Sequence, residues 1–176
     1  MGPSCSPDWL YQRSHVLRNV SKRGGDVRGS LRIPSINIAA CGEYVYFSEG
    51  TTLFRLPKDG DTWQPWVTDL PIDGPLAISD EELYVGGRDG SVYAVDLRRG
   101  AVRSVAGASG AGTKVQQFAF DSRYVYWGSA GAGGIRRVRK SGGPSELIPG
   151  GGYAVAVDER YIYYLGEDGG VWRRCK

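Results

Sequence analysis

Apolar and polar residues alternate along most of this chain in short runs of about 4–8 residues, each closed by Gly, Pro, Asp or Ser, the pattern of half-buried β-strands joined by turns. The runs come in groups that recur. Trp9-Leu10-Tyr11, Tyr44-Val45-Tyr46, Leu83-Tyr84-Val85, Tyr124-Val125-Tyr126 and Tyr161-Ile162-Tyr163 are aromatic-aliphatic cores set 35, 39, 41 and 37 residues apart. A second β-like run ending in basic residues and Gly follows each core. The stretch 116–148 shows the unit most plainly. Gln116 to Phe120 predicts one strand, Tyr124 to Ser129 a second, Ile135 to Lys140 a third and Ser145 to Ile148 a fourth, with turn residues between.

A period near ~40 residues made only of strands is the pattern of β-propeller blades. The fold class expected is therefore all-β, a propeller of about five blades. Three blades are complete and four-stranded, and two terminal blades have three strands each. One alternative stays open, an arc of blades that does not close on itself. The repeats fall at about 8–34, 35–72, 73–112, 113–149 and 150–176, read as a single domain over 8–176 after a disordered or extended segment at 1–7. Pro65 fits only an edge strand, because it cannot donate to a ladder. Asp89-Gly90 supplies the positive φ that a tight hairpin needs.

Composition narrows the picture. Gly 27 and Pro 9 sit at turns, and 11 Tyr and 5 Trp supply side chains that pack on pleated surfaces. A net charge of +3 does not favour nucleic acid. The basic bias of residues 1–34 reads as a solvated, self-protecting edge. No apolar run is long enough to span a membrane. Cys5, Cys41 and Cys175 are an odd set without a Cys-x-x-Cys pair, and His15 is the only histidine, so no metal is expected. A Cys5–Cys175 bridge is disfavoured, because the repeat alignment holds the two about two strand spacings of ~4.8 Å apart.

The stretch Leu83 to Asp96, with the sequence Leu-Tyr-Val-Gly-Gly-Arg-Asp-Gly-Ser-Val-Tyr-Ala-Val-Asp, resembles the repeat of quinoprotein-like propellers. Asp121-Ser122-Arg123-Tyr124-Val125-Tyr126-Trp127, followed by Arg137 to Gly143, is similar to short repeats of bacterial extracytoplasmic propellers. The resemblance implies an extracytoplasmic location. It implies no quinone cofactor, because five degenerate repeats do not supply the eight-bladed ring and the calcium ligands of the quinone-binding members. No other cofactor is expected.

Two sets of polar residues are candidates for function. Asp80, Asp121 and Asp158 follow the first strand at what the alignment makes the same place in each blade. They are read as structural turn acids that accept hydrogen bonds from their own backbone. Lys22, Lys58, Arg98, Arg99 and Lys140 end third strands on the same face and are expected to pair with those acids. The loops of the opposite face do not repeat. They carry Arg32, Glu49, Asp69, Asp73, Arg88, Asp89, Lys114, Glu167 and Asp168, the expected partner-binding set. The function expected is a non-enzymatic scaffold for a protein or glycan, with a homo- or hetero-oligomer able to complete the propeller. The alternative is a hydrolase acting on carbohydrate or a small substrate through paired carboxylates.

Overall fold

The computed structural model describes residues 9–10, 16–21, 27–33, 35, 37–110, 113–129, 134–150, 152, 154–166 and 168–176. The segment 1–7, Cys5, His15, Lys22 and Glu167 lie outside them. Eighteen strands and no helix make up the described chain. They form five antiparallel sheets, three of four strands and two of three. The chain divides into two compact units, Met1–Leu70 and Pro71–Lys176.

The first unit holds two sheets. One orders Trp9–Leu10 (β1), Val16–Ser21 (β2) and Val27–Arg32 (β3). The other orders Ile38–Cys41 (β4), Tyr44–Glu49 (β5), Thr52–Pro57 (β6) and Gln64–Val67 (β7). Pro65 lies on β7, the outer strand, where its missing N–H costs no ladder bond. Val45, Phe47, Leu56 and Ile33 form a core, with Phe47 stacked on Phe54 and edge-on to Trp63.

Three sheets make the second unit. Ile72–Ser79 (β8), Glu82–Gly87 (β9), Val92–Asp96 (β10) and Val102–Ala106 (β11) form the first. Val115–Phe120 (β12), Tyr124–Ser129 (β13), Ile135–Arg139 (β14) and Glu146–Ile148 (β15) form the next. Val155–Val157 (β16), Tyr161–Leu165 (β17) and Val171–Cys175 (β18) form the last. Within this unit the sheets pack face to face, and the first strand β12 lies beside both β8 and β16. Tyr84, Val92 and Ala94 of one sheet meet Val125, Trp127 and Val138 of the next. Tyr126, Ile135 and Ile148 meet Val155 and Ile162 in the same way. Gly86 allows that approach: a Cβ there would come within 2.7 Å of the Val115 Cβ.

The ladders show a repeat finer than the sequence pattern. Ala39, Ala77, Ala119 and Ala156 on the first strands face Tyr46, Tyr84, Tyr126 and Tyr163 on the second. These tyrosines face Arg55, Ala94, Arg137 and Arg173 on the third. The row ends on the fourth strand at Gln64, Arg103 and Glu146. Small Ala leaves room for the ring beside it, and arginine stands on the other flank in three of the four sheets.

That register corrects the alignment of the acids. Ser79 pairs with Glu82, so the tight β8–β9 turn is Asp80-Glu81, whereas Asp121 itself pairs across its turn with Tyr124. Asp80 therefore corresponds to Gly42 of the Cys41–Tyr44 hairpin, and the two share φ 56°. Asp tolerates this left-handed conformation better than most side chains. The hairpins are equal in length; the offset arises because Glu82 stands in this sheet where Tyr44, Tyr124 and Tyr161 stand in the others, so a match of aromatic cores slides by one residue.

Cys41 is buried and engaged in a disulfide whose partner lies outside the described residues, while Cys175 is free and exposed. Ellman titration of the unreduced chain is expected to report one thiol in both native and denatured states, and three after reduction. Three thiols without reductant would contradict the pairing.

Candidate functional site

On the face of the β12–β13 and β16–β17 hairpins lies a cleft of about 860 Å³, lined by Asp121, Tyr124, Tyr126, Arg137, Asp158 and Lys176 among others. Its acids are held by their own turns. Asp121 Oδ1 accepts the amides of Arg123 and Tyr124, both at 2.8 Å. Its Oδ2 accepts Tyr126 Oη at 2.8 Å and Lys176 Nζ at 2.7 Å. Burial works against the charged form, but the bonds from Lys176, the two amides and Tyr126 outweigh it and bring the carboxyl down to about 2. Asp158 repeats the arrangement, accepting the amides of Arg160 and Tyr161 at 2.8 and 2.7 Å and Tyr163 Oη at 2.7 Å. The Tyr163 bond, with the amides, lowers its pKa too. Burial and the Asp121 bond push the Tyr126 phenol up, so it stays a donor.

The basic residues act between sheets. Lys140, at the end of a third strand, reaches back to the preceding sheet and donates to Ser79 Oγ at 2.8 Å and Asp80 Oδ2 at 2.7 Å. Lys176 does the same to Asp121 one repeat later. The Lys176–Asp121 staple is shielded on both sides, at 18% and 19% exposure, whereas Asp80 opposite Lys140 is 73% exposed and that pair is screened by solvent as the sequence leads one to expect. Arg98 pairs instead within its own sheet, with Glu81 at 2.6 Å, and is exposed. Lys176 escaped the sequence reading, although its place one repeat after Lys140 was the available signal.

Sequence also missed the network of the β8–β11 sheet. Glu82 accepts Arg103 Nε and Nη2 at 2.8 and 2.6 Å and Tyr84 Oη at 2.8 Å. Burial opposes its ionisation, yet Arg103 and Tyr84 hold its pKa below the ordinary carboxylate value. Where the neighbouring sheets carry arginine on the third strand, this one carries Ala94 and brings the guanidinium from the fourth. Arg137, by contrast, packs over Tyr124 with its centre 5.0 Å from the ring and donates to Glu146 at 2.8 Å.

The non-repeating loops are brought together only in part. Asp73 holds Lys114 at 3.0 Å and Arg88 at 3.4 Å in an exposed cluster. Asp89 is a turn acid: its Oδ1 accepts the Ser91 hydroxyl at 2.6 Å and the Ser91 amide at 3.0 Å, and the hydroxyl bond leads in lowering its pKa. The Asp89 carbonyl anchors Ser109 and Thr113 of the following loop. Asp168 accepts Trp172 Nε1 at 3.1 Å and the Gly170 amide at 2.9 Å, which lower its pKa in that order. Arg32, Glu49 and Asp69 belong to the first unit. Arg32 and Glu49 are exposed there, and Asp69 sits at φ 63° beside the Thr68 hydroxyl at 2.9 Å. No helix among the described residues is long and apolar enough to cross a membrane.

No protein-family model matches the chain, and no curated protein matches its sequence. Solved structures do. A chain of the nidogen/laminin complex is similar over 99% of this chain and 75% of its own length, at 14% identity and a TM-score of 0.70. BamB from Moraxella catarrhalis is similar over 95% and 66%, at 18% identity and 0.59. U3-55K is similar over 95% and 57%, at 14% identity and 0.71. At such identities the likeness is one of fold, and the fold is a β-propeller.

Proposed function

We propose that this chain is a non-enzymatic propeller that holds a protein partner on its non-repeating surfaces. The observation that carries this reading is the state of the cleft acids. A glycoside hydrolase needs one carboxyl kept protonated by its surroundings, beside another that stays ionised. Asp121 and Asp158 are both pulled the other way, Asp121 by Lys176 together with its own hairpin and Asp158 by bonds within its own hairpin. Their oxygens serve the turns, and the repeat accounts for their presence without a reaction.

The similar chain in the nidogen/laminin complex is a propeller named in a complex with another protein, which supports a protein rather than a glycan as partner. The likeness of Leu83 to Asp96 to quinoprotein-like repeats supports a kinship of blade sequence, without the cofactor. The Cys41 disulfide supports an oxidising, extracytoplasmic compartment.

Asp121→Asn tests the assignment of the acids. The variant is expected to melt below the wild type, with neither protein turning over a panel of aryl glycosides. Turnover by the wild type that Asp121→Asn abolishes at an unchanged melting temperature would establish the hydrolase instead.

A further inference from the structure

Two arginines of the β12–β15 sheet stand where the other sheets carry different chemistry. The Arg123 carbonyl accepts the amide of Lys140, as those of Glu43, Glu81 and Arg160 accept the amides of Lys58, Leu97 and Lys176. Arg139 pairs with Tyr124 across the ladder, as Pro57 pairs with Tyr44, Asp96 with Glu82 and Cys175 with Tyr161. Of these four sheets only this one is basic at both positions. In the β8–β11 sheet both are acidic, and both acids are engaged within the sheet. Glu81 meets Arg98 at 2.6 Å, and Asp96 accepts the amides of Arg98 and Arg99 at 2.9 and 2.7 Å.

Arg123 and Arg139 are exposed, and among the described residues no carboxylate lies within ion-pair distance of either. Their openness belongs to the place in the sheet: the Glu81 side chain is 44% exposed although the complete β12–β15 sheet follows its own. Tyr124 gathers the charge. Arg137 and Arg139 lie with their guanidinium centres 5.0 and 5.7 Å from its ring centre, where Tyr44 holds Arg55 at 5.2 Å and Tyr161 holds Arg173 at 4.9 Å. Two like charges on one ring repel each other, and Glu146 relieves Arg137 alone, at 2.8 Å. The nearer acids are committed elsewhere, Asp121 to four donors and Asp158 to three. Glu159, exposed on the cleft wall, is the remaining opposing charge.

We propose that Arg123 and Arg139 together bind a carboxylate-rich segment of a protein partner. A guanidinium takes a carboxylate through two parallel N–H bonds, and these two have no acid of their own chain to take. Arg139 is already held over the Tyr124 ring, so less side-chain freedom is lost when it binds. An incoming carboxylate also relieves the repulsion between Arg137 and Arg139.

This inference rests on the protein-binding reading and names the partner's chemistry for it. Fluorescence anisotropy of the full chain with a dye-labelled hexaglutamate peptide at low salt tests it. Arg123→Gln combined with Arg139→Gln is expected to weaken binding about tenfold or more, the range for two charge-assisted contacts. Arg98→Gln combined with Arg99→Gln removes the same charge beside Glu81 and Asp96 and is expected to change binding less than about twofold. Circular dichroism melts check that each variant is folded. Should the Arg123 and Arg139 pair not fold, the two single variants replace it, each expected to lose about threefold. No binding by the wild type, losses of equal size in the two double variants, or tighter binding of a thymidine hexamer than of the peptide would each overturn the proposal. The glycoside assays do not depend on this result, so failure here, in a chain without turnover, removes this surface and leaves the scaffold reading standing.

Discussion

Trp127→Ala is expected to destabilise the second unit by about 3–5 kcal/mol, the usual cost of emptying a fully buried aromatic site. Trp127 is 0% exposed and belongs to the cluster that joins the β8–β11 and β12–β15 sheets. It also faces Phe118 across the β12–β13 ladder. Removing the indole opens a void between two sheets that meet only through such side chains. Its Nε1 is buried without a hydrogen-bond partner among the described residues. Trp127→Phe is therefore expected to cost much less than Ala, because it keeps a ring and removes a donor that gains nothing from burial. Urea unfolding followed by circular dichroism measures both. A loss below about 1 kcal/mol for Ala would show that the sheet interface collapses around the gap and does not depend on this ring.

Acid is expected to weaken the same unit through Asp121. Its pKa of about 2 in the folded chain lies below the roughly 4 of an unfolded aspartate. A group depressed in this way stabilises fully above about pH 5, and the contribution is lost as pH falls from about 4 towards 2. The Asp121 side chain is 19% exposed, so after solvent screening the effect is on the order of 1–2 kcal/mol. Lys176→Met is expected to remove part of this acid sensitivity. The amides of Arg123 and Tyr124 and the Tyr126 hydroxyl still bond the carboxylate and preserve the remainder. Melting temperatures of wild type, Asp121→Asn and Lys176→Met between pH 2 and 6 resolve the parts. A wild-type curve parallel to that of Asp121→Asn across this range would show that Asp121 holds no depressed pKa.

These two residues show different degrees of legibility. Trp127 stands in an alternating run beside the Tyr124-Val125-Tyr126 core, and its burial follows from that pattern. Asp121 was legible as a turn acid because Asp-x-x-Tyr recurs at Asp158. Its partner Lys176 sits 55 residues away in sequence, and the distance closes only when the last two sheets pack. The β8–β11 sheet is less legible still. Local pattern placed Asp80 with Asp121, and the true register shifts it by one, because Glu82 holds the place that Tyr124 takes in the next sheet and a match of aromatic cores slides past it. Arg103 could not be foreseen as the partner of Glu82, since the exchange of arginine between third and fourth strands is visible only across the ladder.

Number of sheets, their strands, the edge position of Pro65 and the repeating aromatic rows were all written in local periodicity, because alternation and turn residues act over a few positions. Which side chains meet depended on packing over tens of residues. Sheet-to-sheet contact made Lys140 and Lys176 bridges between sheets, the second of them shielded on both sides, and gathered Asp73, Arg88 and Lys114. Leu53, Val92 and Ile135 are closed by a neighbouring strand, and their counterpart Val171 is exposed. Short-range preference decides what each strand is; burial, which needs a neighbour to supply it, decides which of its side chains meet.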